Sequence, residues 1–284
     1  MIGEVKTLHL RDKTELFVKV HEKSAPIWII TTHGVGEHCG RHAYMNDLFS
    51  EYFNILQYDL RGHGRSHGKR GYVENFEQFA LDLKEIIEFA QKVYGADKII
   101  LFGHSMGALI TAQYVQQFIG VNDLYPIKVF LSAPPVKLPG ILGNLLFSSP
   151  YSLSKGLAKM RFSVPIKGMV DLKHLSHDVA VGEAYKRDEF NLMALHSKLL
   201  FEMINASRNV FTRPLRVRCP LHAAVGSEDK IVDPVALIHY FQEVEKNCNL
   251  QVIKGGYHEL HNEIKKYRLA YFNFLKGSFM DCLY

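Results

Sequence analysis

Apolar residues in the first half of the chain gather into short unbroken runs. Ile27 to Thr32 (IWIITT), Phe53 to Tyr58, Lys98 to Phe102 and Lys128 to Ser132 (KVFLS) are rich in β-branched and aromatic side chains. Such runs predict strands buried on both faces, as in a parallel sheet. Between the second and third run, Phe79, Leu83, Ile86, Ile87 and Ala90 repeat at helical spacing, which predicts a helix over Phe76 to Tyr94. The same spacing predicts a helix from Met106 to Phe118. Ahead of these, Lys6 to Leu10 and Thr14 to Val20 alternate apolar and polar residues around Arg11-Asp12-Lys13. That alternation predicts a β-hairpin with one solvated face.

The rhythm stops at Pro134. From there to about Arg213 the chain carries Pro, Gly, a Ser-rich patch and amphipathic pieces, without strand–helix alternation. It resumes with strands predicted at Leu221 to Val225 and Leu250 to Ile253, and helices at Pro234 to Val244 and Leu260 to Phe274. Alternating strands and helices imply an α/β fold, with a mostly parallel central sheet flanked by helices. The predicted division is a core of residues 1–133 and 214–284, with residues 134–213 as a mainly helical cap (lid) insertion.

Composition narrows the class. With 284 residues, 47% hydrophobic and 22% charged, the chain can bury a large core and is not disordered, collagen-like or a coiled coil. The net charge of +5 comes without a long basic run, so nucleic acid is not the implied partner. Met1 to Val20 lacks the pattern of a signal peptide, and no run reaches the ~18 apolar residues of a membrane span. Cys39, Cys219, Cys248 and Cys282 are scattered, with no C-x-x-C pair. The expectation is a cytoplasmic protein with reduced thiols; peripheral membrane contact through the cap stays open, and the oligomeric state is not readable.

The chemistry concentrates in Gly103-His104-Ser105-Met106-Gly107. This is G-x-S-x-G, after a buried strand and before a helical pattern, the context in which such a serine is lifted clear of a sheet. Ser105 is therefore the candidate nucleophile. It needs a base, and the base needs an orienting acid, in the chain order Ser, Asp or Glu, His. Of fifteen histidines, His258 follows Gly255-Gly256-Tyr257 at the end of a predicted strand, whereas His239 lies inside a predicted helix. His261 is the main rival. For the acid, Asp229, Glu228 and Asp233 compete. Asp233 precedes Pro234 and has a complete explanation as a helix cap, which favours Asp229. The oxyanion donors are expected to be the backbone N–H of Met106 and of Val35, in His33-Gly34-Val35-Gly36.

Metal readings fail on spacing. His258 and His261 are three apart where H-E-x-x-H needs four. His38, Cys39 and His42 have no second cluster to complete a site. A serine triad needs neither a metal nor an organic cofactor, and none is expected.

THGVGEHCGRH (Thr32 to His42), YDLRGHGRSHGKRG (Tyr58 to Gly71), GHSMG, GSEDKIVD (Gly226 to Asp233) and GGYHELHNE (Gly255 to Glu263) occur in this order. On these motifs the chain resembles the monoacylglycerol lipase and lysophospholipase family of serine α/β-hydrolases. The resemblance implies the α/β-hydrolase fold, Ser105, Asp229 and His258 as triad, and Val35 and Met106 as oxyanion donors. It implies hydrolysis of esters of single-chain lipids. Acyl transfer, a short-chain carboxylesterase and a non-catalytic binding protein are the alternatives. The chain departs from the family at Ala108, where a second glycine is common. The cap stretch Ile141, Leu142, Leu145, Leu146 and Phe147 is expected to contact the acyl chain.

Overall fold

The computed structural model describes residues 3–148, 156, 163–168 and 171–284, without the side chains of residues 141, 142, 144 and 146. The strands are β1 (Glu4–His9), β2 (Glu15–His21), β3 (Trp28–Thr32), β4 (Asn54–Tyr58), β5 (Ile99–His104), β6 (Lys128–Ser132), β7 (Pro165–Lys167), β8 (Ala194–His196), β9 (Leu221–Gly226) and β10 (Cys248–Ile253). Eight of them form one sheet, in the order β1-β2-β4-β3-β5-β6-β9-β10. The β1–β2 and β2–β4 pairs are antiparallel. From β4 to β10 every pair is parallel.

The apolar runs explain the sheet. Every residue of β3, β4, β5 and β6 is buried. In β2 only Leu16, Val18 and Val20 are, on one face. The helices are α1 (Tyr44–Phe49), α2 (Glu77–Tyr94), α3 (Met106–Gln113), α4 (Gly140–Ser148), α5 (Val179–Arg187), α6 (Ser197–Val210), α7 (Pro234–His239) and α8 (Lys265–Met280), and they cover both faces of the sheet apart from α4 and α5, which lie in the insertion. α2 and α3 pack one face with Leu83, Ile86 and Leu109. α1 and α8 pack the other with Phe49, Leu275 and Phe279. This is the α/β-hydrolase architecture. It brings the carboxyl ends of β3, β5, β9 and β10 to one rim, where open parallel sheets bind ligands.

Three elements differ from the sequence expectation. α8 begins at Lys265 rather than Leu260. Residues 260–263 are held in a turn because the buried Glu263 carboxylate accepts from Tyr257 N at 2.8 Å, Ile264 N at 2.9 Å and His177 N at 3.2 Å. α1 has six residues, too few to show periodicity. The chain between β6 and β9 holds a small antiparallel β7–β8 sheet besides its helices. β7 is exposed at all three residues, so no apolar run marks it.

This insertion is tied to the core by apolar side chains and by hydrogen bonds to core loops. Leu199 and Val210 of α6 enter the main core. Leu192 N donates to Gly36 O at 2.7 Å, His196 N to Gly71 O at 2.9 Å, and Glu259 N to Leu175 O at 2.8 Å. Among the described residues, no helix is long and apolar enough to cross a membrane.

Candidate active site

Ser105 sits between β5 and α3 with φ 53° and ψ −121°, a conformation that costs a non-glycine residue energy. The flanking glycines make room for it. A Cβ on Gly107 would lie 2.2 Å from the Thr32 carbonyl oxygen, and one on Gly103 2.4 Å from the Gly107 carbonyl oxygen. Both obstacles are backbone, so neither can yield. The G-x-S-x-G spacing is thus a packing requirement of this strand–helix corner.

His258, in the loop after β10, places Nε2 3.0 Å from Ser105 Oγ. Its Nδ1 lies 2.6 Å from Asp229 Oδ2. A carboxylate only accepts, so Nδ1–H donates to Asp229 and leaves Nε2 free to accept from the serine. The other Asp229 oxygen accepts from Ile231 N at 2.7 Å and Val232 N at 3.0 Å, which fixes the carboxylate after β9. Burial alone would lower the His258 pKa. The Asp229 carboxylate and its hydrogen bond, with the charges of Glu259 and Glu37, outweigh burial and hold it above the ordinary value.

The competing residues lie elsewhere. Glu228 is exposed. Asp233 Oδ1 accepts from Val235 N at 3.0 Å and Ala236 N at 3.1 Å, capping α7. His261 is buried among His42 and His104, with ring centroids 4.8 and 5.0 Å away, and neither of its ring nitrogens has a hydrogen-bond partner among the described residues. Burial drives its pKa down, as it does for His104.

Val35 follows Gly34, which packs so close to Ser105 that a Cβ there would lie 3.1 Å from Ser105 Cβ. Met106 is the first residue of α3, so its N–H belongs to the unpaired donors of a helix start. Val35, Glu37, Leu175, Tyr185, Ile231 and Glu259 wall a cavity of about 20 Å³ around Ser105 and His258. That is room for roughly one water molecule. A larger cavity of about 330 Å³ lies in the insertion, lined by Ile166, Leu172, Leu192 and Leu195 among others. Ser105 is not in its wall, but Tyr185 walls both cavities.

Sequence reasoning assigns no role to Glu37, Arg41, Tyr185 or Glu259. The first two stand in the THGVGEHCGRH motif, which is the available signal. Glu259 stands in the GGYHELHNE motif and in a metal spacing that fails. Of the cap stretch, Leu145 is 67% exposed and Phe147 is half-buried. Neither lines the small cavity at Ser105 or the larger one in the insertion. The side chains of Ile141, Leu142 and Leu146 lie outside the described residues. His38, Cys39 and His42 are engaged elsewhere: His38 Nε2 lies 2.8 Å from Asp188 Oδ2, Cys39 N donates to Asp59, and His42 Nε2 lies 3.1 Å from Glu37 Oε1.

A family model described as "Serine aminopeptidase, S33" matches residues 24–265. The chain belongs to this hydrolase family. The hydrolase is 29% identical over 243 residues to a monoacylglycerol lipase of Mycolicibacterium smegmatis, covering 83% of this chain and 82% of that one. It is 28% identical over 252 residues to a monoglyceride lipase of Rattus norvegicus, covering 83% and 76%. It spans 28% of the length of an uncharacterised abhydrolase domain-containing protein of Dictyostelium discoideum, at 28% identity over 275 residues. A crystal structure of monoacylglycerol lipase from Paleococcus ferrophilus superposes with TM-score 0.77 at 25% identity, over 93% of this chain and 99% of that one. The hydrolase is a carboxylic ester hydrolase of the monoacylglycerol lipase-like α/β class.

Proposed function

We propose that this hydrolase cleaves carboxylic esters of single-chain lipids, monoacylglycerols or lysophospholipids, through an acyl-enzyme on Ser105. The observation that carries the reading is the continuous line Ser105 Oγ, His258, Asp229, at 3.0 and 2.6 Å. His258 takes the serine proton as Oγ attacks the ester carbonyl. Asp229 holds the tautomer and stabilises the imidazolium that forms. The N–H groups of Val35 and Met106 receive the developing oxyanion, worth about 3–4 kcal/mol per donor in comparable sites. His258 then returns the proton to the leaving alcohol, and water repeats the sequence to release the fatty acid.

Residues 134–213 act as the cap over this centre. In support, Leu175 and Tyr185 of the insertion wall the Ser105 cavity, and the larger cavity lies among insertion residues. Relatives named monoacylglycerol lipase support the lipid substrate. The test is a hydrolysis panel of monoacylglycerols, lysophospholipids and short p-nitrophenyl esters, with wild type and Ser105→Ala. Hydrolysis confined to the p-nitrophenyl esters would refute the lipid reading.

A further inference from the structure

The oxyanion loop and the base loop come from opposite parts of the chain, yet one buried ionic chain links them. Glu37 is 3% exposed, and its Oε1 accepts from Gly34 N at 2.6 Å, in the loop that carries Val35. Its Oε2 accepts from Arg41 Nε at 3.1 Å. Arg41 Nη2 donates to both oxygens of Glu259, at 2.6 Å for Oε1. Glu259 follows His258 directly and is 3% exposed. The insertion touches the same chain: the Tyr185 ring lies 4.8 Å from the Arg41 guanidinium, and its hydroxyl donates to Gly36 O at 2.6 Å. Two carboxylates buried beside one guanidinium cost desolvation energy that a well-packed apolar trio would avoid. A role in geometry accounts for that cost.

We propose that Glu37, Arg41 and Glu259 are positioning residues, a bridge that holds the oxyanion loop and the His258 loop at their working separation. The inference rests on the reading of Ser105 and His258 given above. A planar guanidinium suits the task because it meets two carboxylates at fixed angles, which an ammonium does not. The bridge also sets the field at the base. His258 faces Asp229, Glu259 and Glu37, whose charges raise its pKa, and the buried His104. Replacing Glu259 by an amide removes one of the raising charges and leaves Arg41 less compensated.

The experiment measures kcat, KM, pH–rate profile and melting temperature with p-nitrophenyl butyrate for wild type, Arg41→Lys, Glu259→Gln and Ser105→Ala. A loop displaced by about an ångström loses on the order of 10²-fold. The expected result is a kcat lower by about 10- to 100-fold in both bridge variants, with KM within about twofold. In Glu259→Gln the acid limb of the profile moves to lower pH. If Glu259→Gln does not fold, the paired change Arg41→Met with Glu259→Met removes both charges together and carries the same kcat prediction. Wild-type kcat in the bridge variants, a loss confined to KM, or a loss that only follows the folded fraction overturns the bridge. Turnover surviving in Ser105→Ala overturns the catalytic reading, and the bridge with it.

Discussion

The sheet and the insertion use opposite strategies. The central strands β3 to β6 bury every residue, so their position is set by their own side chains. In the insertion, β7 is wholly exposed, and Val179 and Leu145 are 83% and 67% exposed. It is held by the α6 side chains Leu199, Met203 and Val210 in the main core and by bonds to core loops, such as Leu192 N to Gly36 O and Glu259 N to Leu175 O. The core fixes reacting atoms to within the fraction of an ångström that chemistry needs. Several of the insertion's hydrogen bonds land on the loops that carry Val35 and His258. If, as proposed above, the core supplies the chemistry and the insertion caps it, substitutions on either side should separate rate from selectivity.

The largest effect belongs to the core. Ser105→Ala and His258→Ala should each lower kcat by about 10⁶-fold, and Asp229→Asn by about 10⁴-fold, as in triads on other folds. Asp233→Asn should leave the rate near wild type, because that side chain caps α7. A fluorophosphonate probe checks the nucleophile separately, since it should label wild type once and Ser105→Ala not at all. An active His258→Ala with a dead His261→Ala would reassign the base.

The glycines around Ser105 and the helix start at Asp233 are legible in the sequence because backbone geometry dictates residue type there. Gly103 and Gly107 face backbone oxygens, and Asp233-Pro234 is a helix start whatever the function. The buried strands are legible for a similar reason, each being a run of apolar residues with turn residues at its ends. The bridge is not. Arg41 and Glu259 are 218 residues apart, and an ion pair between distant positions leaves no periodic trace. The start of α8 is hidden because Leu260 and His261 suit a helix locally. The Glu263 carboxylate gathers backbone donors from two segments and overrides that preference.

A second contrast is in stability. Leu199 is 1% exposed and packs the main core from α6, whereas Leu145 on α4 is 67% exposed. Leu199→Ala should cost about 2–5 kcal/mol, and Leu145→Ala within about 0.5 kcal/mol. Denaturant midpoints at constant slope decide it. Equal losses would mean that α4 is anchored as firmly as α6, and the contrast between the two regions would need revision.

On the proposed mechanism, the pH dependence follows from His258 as base. His258 must be neutral to accept the serine proton, and its pKa is raised above 6.5. Lowering the pH through that raised value protonates the base, so kcat/KM should fall about tenfold per unit. The limb should begin above pH 6.5, and Asp229→Asn should move it lower by removing the charge that opposes burial. A limb below 6.5 in wild type would show that burial dominates.

The smallest effect is expected at the insertion's edge on the site. Tyr185 stands between the cavity of about 20 Å³ at Ser105 and the cavity of about 330 Å³ beside it. Tyr185→Ala should join the two and open space next to the reacting ester. Bulkier esters then gain contacts that small ones cannot reach, and a methylene or two of added contact is worth about 1–3 kcal/mol at most. The ratio of kcat/KM between a bulky and a small ester should therefore rise severalfold to about tenfold. Tyr185→Phe keeps the wall and removes only the hydroxyl bond to Gly36 O, so it should leave the ratio unchanged. Fluorophosphonate labelling in both variants shows whether Ser105 is still activated. If Tyr185→Ala lowers kcat/KM equally for every ester, the ring serves the oxyanion loop rather than the wall. Selectivity would then have to come from another part of the insertion.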